Sequence, residues 1–231
     1  MLANLQKLNN VLDNVKPRHI FSVGGFDISS TVITTWCLMV LAIVAILFLT
    51  RDLKVRPTSK RQLVLEYFVS FIDNIMEDTG GKEAKRYTPL VGGFFLSILI
   101  LNLAWFIPFF RPPTMDYNLT FALGIMVFFI SQTLGIYHRG IKNYFKKFIY
   151  PTPILLPINI LEEFIKPVSL SLRLFGNMFA DEMLVVIIGI LVPLVLPVPI
   201  QLLGLLTAGI QAFVFSLLLA VYIGEAMGVE E

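Results

Sequence analysis

Apolar residues run along this chain in five long blocks, each closed by charges, prolines or both. A membrane-spanning helix needs about 20 largely apolar residues. The first block runs from about Val32 to Leu49 and ends in the basic stretch "TRDLKVRPTSKR". The second, from about Leu90 to Phe110, closes at "RPP", and the third, from about Leu119 to Tyr137, is followed by "HRGIKNYFKK". A longer fourth block covers Pro157 to Val192, and after the turn "PLVLPVP" a fifth covers about Val198 to Ile223. Between the first two blocks, Val64, Phe68, Phe71 and Ile75 recur at helical spacing, while Arg61, Glu66, Asp73, Asn74 and Glu77 take the other faces. Thr58 or Ser59 offers an N-cap there and Gly80-Gly81 a stop. With so many charges, this helix over 58–79 is expected to lie at the membrane interface rather than to cross.

The pattern predicts an all-α membrane protein, a single integral domain over 1–231 with an N-terminal segment over 1–31. It has about five transmembrane helices, one interfacial amphipathic helix, and a long hairpin of 157–192 and 198–223. Composition agrees: 56% of the residues are hydrophobic, 15% are charged, and the mean hydropathy is +0.79. Soluble domains carry about 25% charged residues. The net charge of +2 says little about partners, but its distribution orients the array. Arg51, Lys54, Arg56, Lys60 and Arg61 follow the first span, and Arg139, Lys142, Lys146 and Lys147 follow the third. Both clusters are expected on the cytoplasmic side, which puts the N-terminus outside and the C-terminus inside. Lys7, Lys16 and Arg18 pull mildly the other way. The single Cys37 excludes a disulfide framework and a cysteine metal site. His19 and His138 are flanked by basic residues and read as solvent-facing at the membrane edge.

The fourth block breaks the apolar rule. In "SLSLRLFGNMFADEMLVV", Arg173, Asn177, Asp181 and Glu182 interrupt membrane-compatible sequence. At about 100° per residue, Glu162, Lys166, Ser169, Arg173 and Asn177 share one polar stripe. Glu182 projects from nearly the opposite side, roughly 13 Å further along, with Asp181 between the two directions. Lys166 and Glu162 can pair, but Arg173 has no local counter-ion. The block is also too long for a straight crossing, so it must tilt, kink at Pro167 or begin outside the hydrocarbon. A charge at bilayer depth costs about 2.5 kcal/mol or more and usually marks an ion path or a partner charge. A permanent cation at mid-depth, with carboxylates on another face and nearer the other side, suits two aqueous paths kept apart by one positive charge. In the fifth block, Gly204, Ala208 and Gln211 follow one face. The small residues permit close packing and the glutamine an interhelical hydrogen bond, directed towards Arg173 or Asn177.

"KPVSLSLRLFGNMFADE" and "LLGLLTAGIQAFVFSLLLAVYIGEAM" together resemble subunit a of F-type ATP synthases, and "PTPILLPINILEEF" and "PTMDYNLT" extend the likeness upstream. It is strong from about Pro113 onward; earlier it rests on layout and on "LNLAWFIP" and "FDISS". The resemblance implies a stator half-channel protein beside a rotating ring of subunit c hairpins, each with one ion-binding carboxylate. It also implies peripheral-stalk subunit b and the rest of the complex as partners, within a lipid bilayer. Arg173 matches the family's essential arginine, Asn177 and Glu182 its transport path, and Gln211 the glutamine facing the arginine. Many bacterial members carry histidine at the position of Gly204 and glycine at that of Asp181, so a histidine relay is not expected here. The Asp-Glu pair and the glycine resemble cyanobacterial and plastid members.

The expected function is therefore ion translocation, carried by Arg173, Asn177, Asp181, Glu182 and Gln211. Ser169, Asn102, Asp116, Asn118 and Glu225 are candidate path-lining residues. No catalytic residue, metal, cofactor or nucleic acid is expected, and the setting is a bacterial plasma membrane or, alternatively, a thylakoid membrane. Proton or sodium choice is expected to reside in the rotor, on another chain. The competing readings are a secondary transporter or channel, which would show repeated halves, and an intramembrane enzyme, which would need a serine–histidine or two-aspartate site at depth.

Overall fold

A computed structural model describes residues 19–23, 26–51, 59–106, 112–149, 152–191 and 197–228. Two short strands, β1 (His19–Val23) and β2 (Phe26–Ser29), pair as an antiparallel hairpin. Every longer described element is a helix. These are α1 (Ser30–Thr50), α2 (Lys60–Ala84), α3 (Thr88–Leu103, followed by a 3-10 turn to Phe106), α4 (Tyr117–Ile149), α5 (Leu156–Leu191) and α6 (Pro197–Met227). Among the described residues, four helical stretches are long and apolar enough to cross a membrane: Ser30–Thr50, Lys60–Phe106, Tyr117–Tyr144 and Val198–Met227. The end of the second predicted span at 107–110, Arg111, the proline-rich turn at 192–196, and Lys7, Lys16, Arg18, Lys54 and Arg56 lie outside the described residues.

α6 is the central helix, packing against α2, α3, α4 and α5. Its Ala212, Phe215, Leu219, Ala220 and Ile223 form the core with Leu170 and Leu174 of α5 and Ile98 of α3. Ring contacts give the directions. Phe94 of α3 stacks on Phe215, and Phe128 of α4 stacks on Phe164 of α5. α1 stands apart, burying only Leu38 and Ala42 and leaving Trp36 69% exposed. In an apolar solvent that exposure carries no penalty, because lipid tails are as apolar as the side chains.

Two glycines bend helices where the sequence changes character. Gly140 (φ 73°) kinks α4 where the apolar span gives way to the basic segment. Gly81 (φ 70°) kinks α2, so the predicted stop at Gly80-Gly81 is a bend and the helix runs on to Ala84. Only glycine takes such φ values without strain.

The buried stripe of α2 differs from the predicted one. Ile72, Met76, Gly80 and Ala84 are buried, with Phe68 and Ile75 beside them, while Val64 is 67% and Phe71 45% exposed. The reason lies in α6. Gly224 has no side chain, and a β-carbon there would collide with the carbonyl oxygen of Thr79. The two backbones therefore touch at Gly80 and Gly224, and that contact selects which face of α2 turns inward.

α5 has 36 residues, roughly 54 Å at about 1.5 Å each, and continues through Pro167. Proline removes one backbone donor from the helix. The Ser171 hydroxyl bonds back to the Pro167 carbonyl at 2.8 Å. The helix is therefore one continuous element across Pro167.

The glycine contact yields a stability prediction. Overpacking a tight contact costs about 1–3 kcal/mol, whereas Gly→Ala in an open helical position gains roughly 0.5–1 kcal/mol. Gly224→Ala is expected to lower the thermal midpoint of the detergent-solubilised protein. Gly93→Ala, where a β-carbon meets open space, is expected to hold or raise it. Equal midpoints for the two variants would contradict the backbone contact.

Candidate functional site

The predicted polar residues of α5 lie on two sides of the helix. Ser169, Leu172, Arg173, Gly176, Asn177 and Ala180 are exposed, while Leu170, Ser171, Leu174 and Met178 are buried against the bundle. A spacing of three and four residues produces both stripes. Among the described residues the Arg173 side chain makes no hydrogen bond and no ion pair. Val168 and Leu172, exposed on the same helix, are apolar. The result is a cation on an exposed stripe, with Ser169 one turn before it and Asn177 one turn after it, both polar and uncharged.

On the C-terminal side of Arg173, polar groups meet in layers between α5 and α6. Asn177 Nδ2 donates to Gln211 Oε1 at 2.7 Å, and Thr207 Oγ1 donates to Asp181 Oδ2 at 2.8 Å. Each step moves four residues up one helix and four down the other, so the two pairs share one antiparallel register. Carried one turn further, that register sets Phe215 level with Arg173. Phe215 is buried in the core against Phe94 of α3, so α6 supplies no counter-ion at that level. Gln211 is 4% exposed, and its Nε2 has no partner.

Glu182 is reached from a third helix. Trp105 Nε1, in the turn that ends α3, donates to Glu182 Oε2. Asn102 lies three residues before Trp105, fully buried, with neither end of its amide paired. Among the other candidate path residues, Asp116 accepts the Asn118 N–H at 3.0 Å and so caps the start of α4, and Asn118 is exposed.

At the opposite end of the bundle, where α4 carries Arg139 and Lys142, a second polar group forms. Lys166 donates to Glu225 at 2.7 Å and lies 3.7 Å from both Glu162 and Glu163. Its nitrogen also sits 5.4 Å from the centre of the Tyr222 ring. Glu163 accepts from Gln132 of α4 at 3.0 Å. Arg139 caps the end of α6 through the carbonyls of Glu225 and Ala226. A cavity of about 20 Å³ lined by Ser131, Gln132, Glu163, Lys166 and Tyr222 has room for about one water. The predicted Lys166–Glu162 pair is therefore the looser contact, and Glu225 is the closest partner. His138 is exposed, as expected, and shares a 2.7 Å hydrogen bond with Tyr87; His19 lies in β1.

The structure thus joins Asn177 to Gln211 and places Asp181 and Glu182 near them, with Glu225 at the other end. Trp105, Thr207, Glu163 and Gln132 are additions to the site that sequence reasoning missed. Each acquires its role through a partner on another helix, so periodicity within one helix carries no sign of it.

Comparison with known proteins bears on this geometry. The family model described as ATP synthase A chain matches residues 32–224. The ATP synthase subunit a of Moorella thermoacetica is 47% identical over 214 residues, covering 93% of this chain and 98% of that relative.

The ionic cluster gives a prediction that does not depend on function. Removing one partner of a buried ion pair destabilises more than replacing both by apolar groups. Lys166→Met is expected to lower the unfolding midpoint of the solubilised protein, and Lys166→Met/Glu225→Met to recover part of the loss. A double variant less stable than the single would count against the pairing.

Proposed function

This chain belongs to the ATP synthase A chain family, whose members are non-catalytic, multi-pass subunits of the membrane sector of F-type ATP synthase, and on that premise we propose that it provides two aqueous half-channels separated by Arg173. Ion flow through them drives rotation of an adjacent subunit c ring. The observation that carries this reading is the exposed Arg173, without a counter-ion among the described residues, with polar pairs towards both ends of the hairpin.

The physical logic runs through the charge on the rotor. A rotor carboxylate facing lipid must be neutral, since a bare charge there is expensive. Beside a fixed cation its charged form is favoured, and arginine does not deprotonate in proteins. Arg173 therefore drives each arriving rotor site to release its ion, and its charge blocks leakage between the two paths. Gly176 and Ala180, small and exposed beside it, let a partner helix approach closely.

Asn177, Gln211, Asp181 and Glu182 line the outer path, with Asn102 and Ser169 as further path residues and Asp116 and Asn118 at its mouth. Glu225 borders the inner side. The basic ends of α1 and α4 face the cytoplasm of a bacterial plasma membrane, and α2 lies at the interface. Subunit b and the remaining subunits hold the chain against the ring. The coupling ion, proton or sodium, is selected by the rotor's own site.

In proteoliposomes containing the assembled complex, Arg173→Ala is expected to abolish coupled ATP synthesis, and wild-type rates would overturn the assignment. Glu182→Gln is expected to slow synthesis at limiting driving force without loss of assembly. Unchanged flux would remove Glu182 from the path.

A further inference from the structure

The residue that holds Glu182 is not itself ionisable. Trp105 reaches from the end of α3 to both helices of the hairpin. Its indole N–H donates to Glu182 Oε2 on α5, and its six-membered ring lies against Gly204 on α6. A β-carbon at position 204 would collide with Cζ3 and Cη2 of that ring. An indole at 105 in this pose therefore requires glycine at 204, and the absent side chain leaves the notch that the indole fills.

We propose that Trp105 is the positioning residue of the Glu182 carboxyl, fixing Oε2 so that ions are taken up and passed on at Oε1. This rests on the reading of Glu182 as a path residue. Indole nitrogen is a donor with no acceptor capacity, so Trp105 cannot take the ion from the carboxyl. Oε2 accepts the N–H when the group is charged, and still accepts it when a proton sits on Oε1. In the proton case, uptake forms the Oε1–H bond and release breaks it, and the Trp105 hydrogen bond persists through both. The carboxyl keeps one orientation throughout the cycle. No second titrating group is needed at this point of the path, which agrees with Gly204 standing where a histidine relay would need its side chain. Thr207, whose hydroxyl lies 2.9 Å from the Gly204 carbonyl and 2.8 Å from Asp181, sits on the same turn of α6.

The test is a double-mutant cycle in the reconstituted complex, with ATP synthesis at limiting driving force expressed per assembled complex so that loss of assembly alone does not register. Trp105→Phe keeps an aromatic ring for the Gly204 notch and removes the N–H; a several-fold fall in flux is expected. In a Glu182→Gln background the same substitution is expected to cause no further fall, because the group it orients no longer exchanges ions. Gly204→Ala, which displaces the ring while keeping the indole, is expected to reproduce the Trp105→Phe defect. Wild-type flux in Trp105→Phe beside a slowed Glu182→Gln overturns the positioning role alone. Losses that add in the double variant assign Trp105 to packing and also overturn it. Wild-type flux in Glu182→Gln overturns the path reading, and the role of Trp105 with it.

Discussion

The structure turns on a permanent positive charge that has no counter-ion among the described residues. Arg173 is exposed on its helix, and the described acids of the hairpin have other partners. Asp181 accepts from Thr207 and Glu182 from Trp105, while Glu163 and Glu225 gather round Lys166. At the level of Arg173 α6 carries Phe215, fully buried against Phe94 of α3. A cation at bilayer depth is costly unless it is paired or wet, and the proposed rotor carboxylate would supply that partner from another chain. A carboxylate in the same bundle would satisfy the arginine permanently, and a permanently satisfied arginine could not act on the succession of rotor sites that the proposed function requires.

Holding that charge in place depends on the α5–α6 hairpin. Polar pairs fix its register at two levels on the acidic side, and the Lys166–Glu225 contact clamps it at the basic end. Between the clamps the packing is apolar and tight, through Leu170 and Leu174 against Ala212 and Phe215. α6 is held in turn by α2 through the Gly80–Gly224 contact. A shift of one residue along the hairpin would separate Asn177 from Gln211 and Asp181 from Thr207 together, and Gln211, already buried with one unmade bond, could not rebuild them singly. The position of Arg173 is thus set by contacts well away from it.

Much of this fold was legible in the sequence, for physical reasons specific to membranes. Apolar block length predicts α1, α3, α4 and the hairpin because the bilayer imposes one length on every crossing. Arg173, Asn177, Asp181 and Glu182 stood out because their residue types are costly in that setting. The Asn177–Gln211 bond could be anticipated because a lone glutamine on a small-residue face must find a partner. The β hairpin ahead of α1 was not foreseen, nor was the inward face of α2. In an apolar solvent, apolarity no longer distinguishes inside from outside, so Val64 and Phe71 carry no information about burial. What decided that face was a glycine on another helix.

The site was less legible than the fold for a related reason. Trp105 reads in sequence as one more apolar residue near a span end, and Gly204 as one more small packing residue. Only their juxtaposition shows that the two choices are a single choice. The same space beside Glu182 can hold a side chain from α6 or an indole from α3, but not both. A side chain on α6 could contribute a titrating group, whereas the indole contributes only a donor. On the proposed function, the difference concerns how an ion passes Glu182 and leaves the charge at Arg173 untouched. Members of one family can therefore keep the arginine while differing in how ions reach it, and a position that looks like a lost histidine is in this chain the seat of a tryptophan.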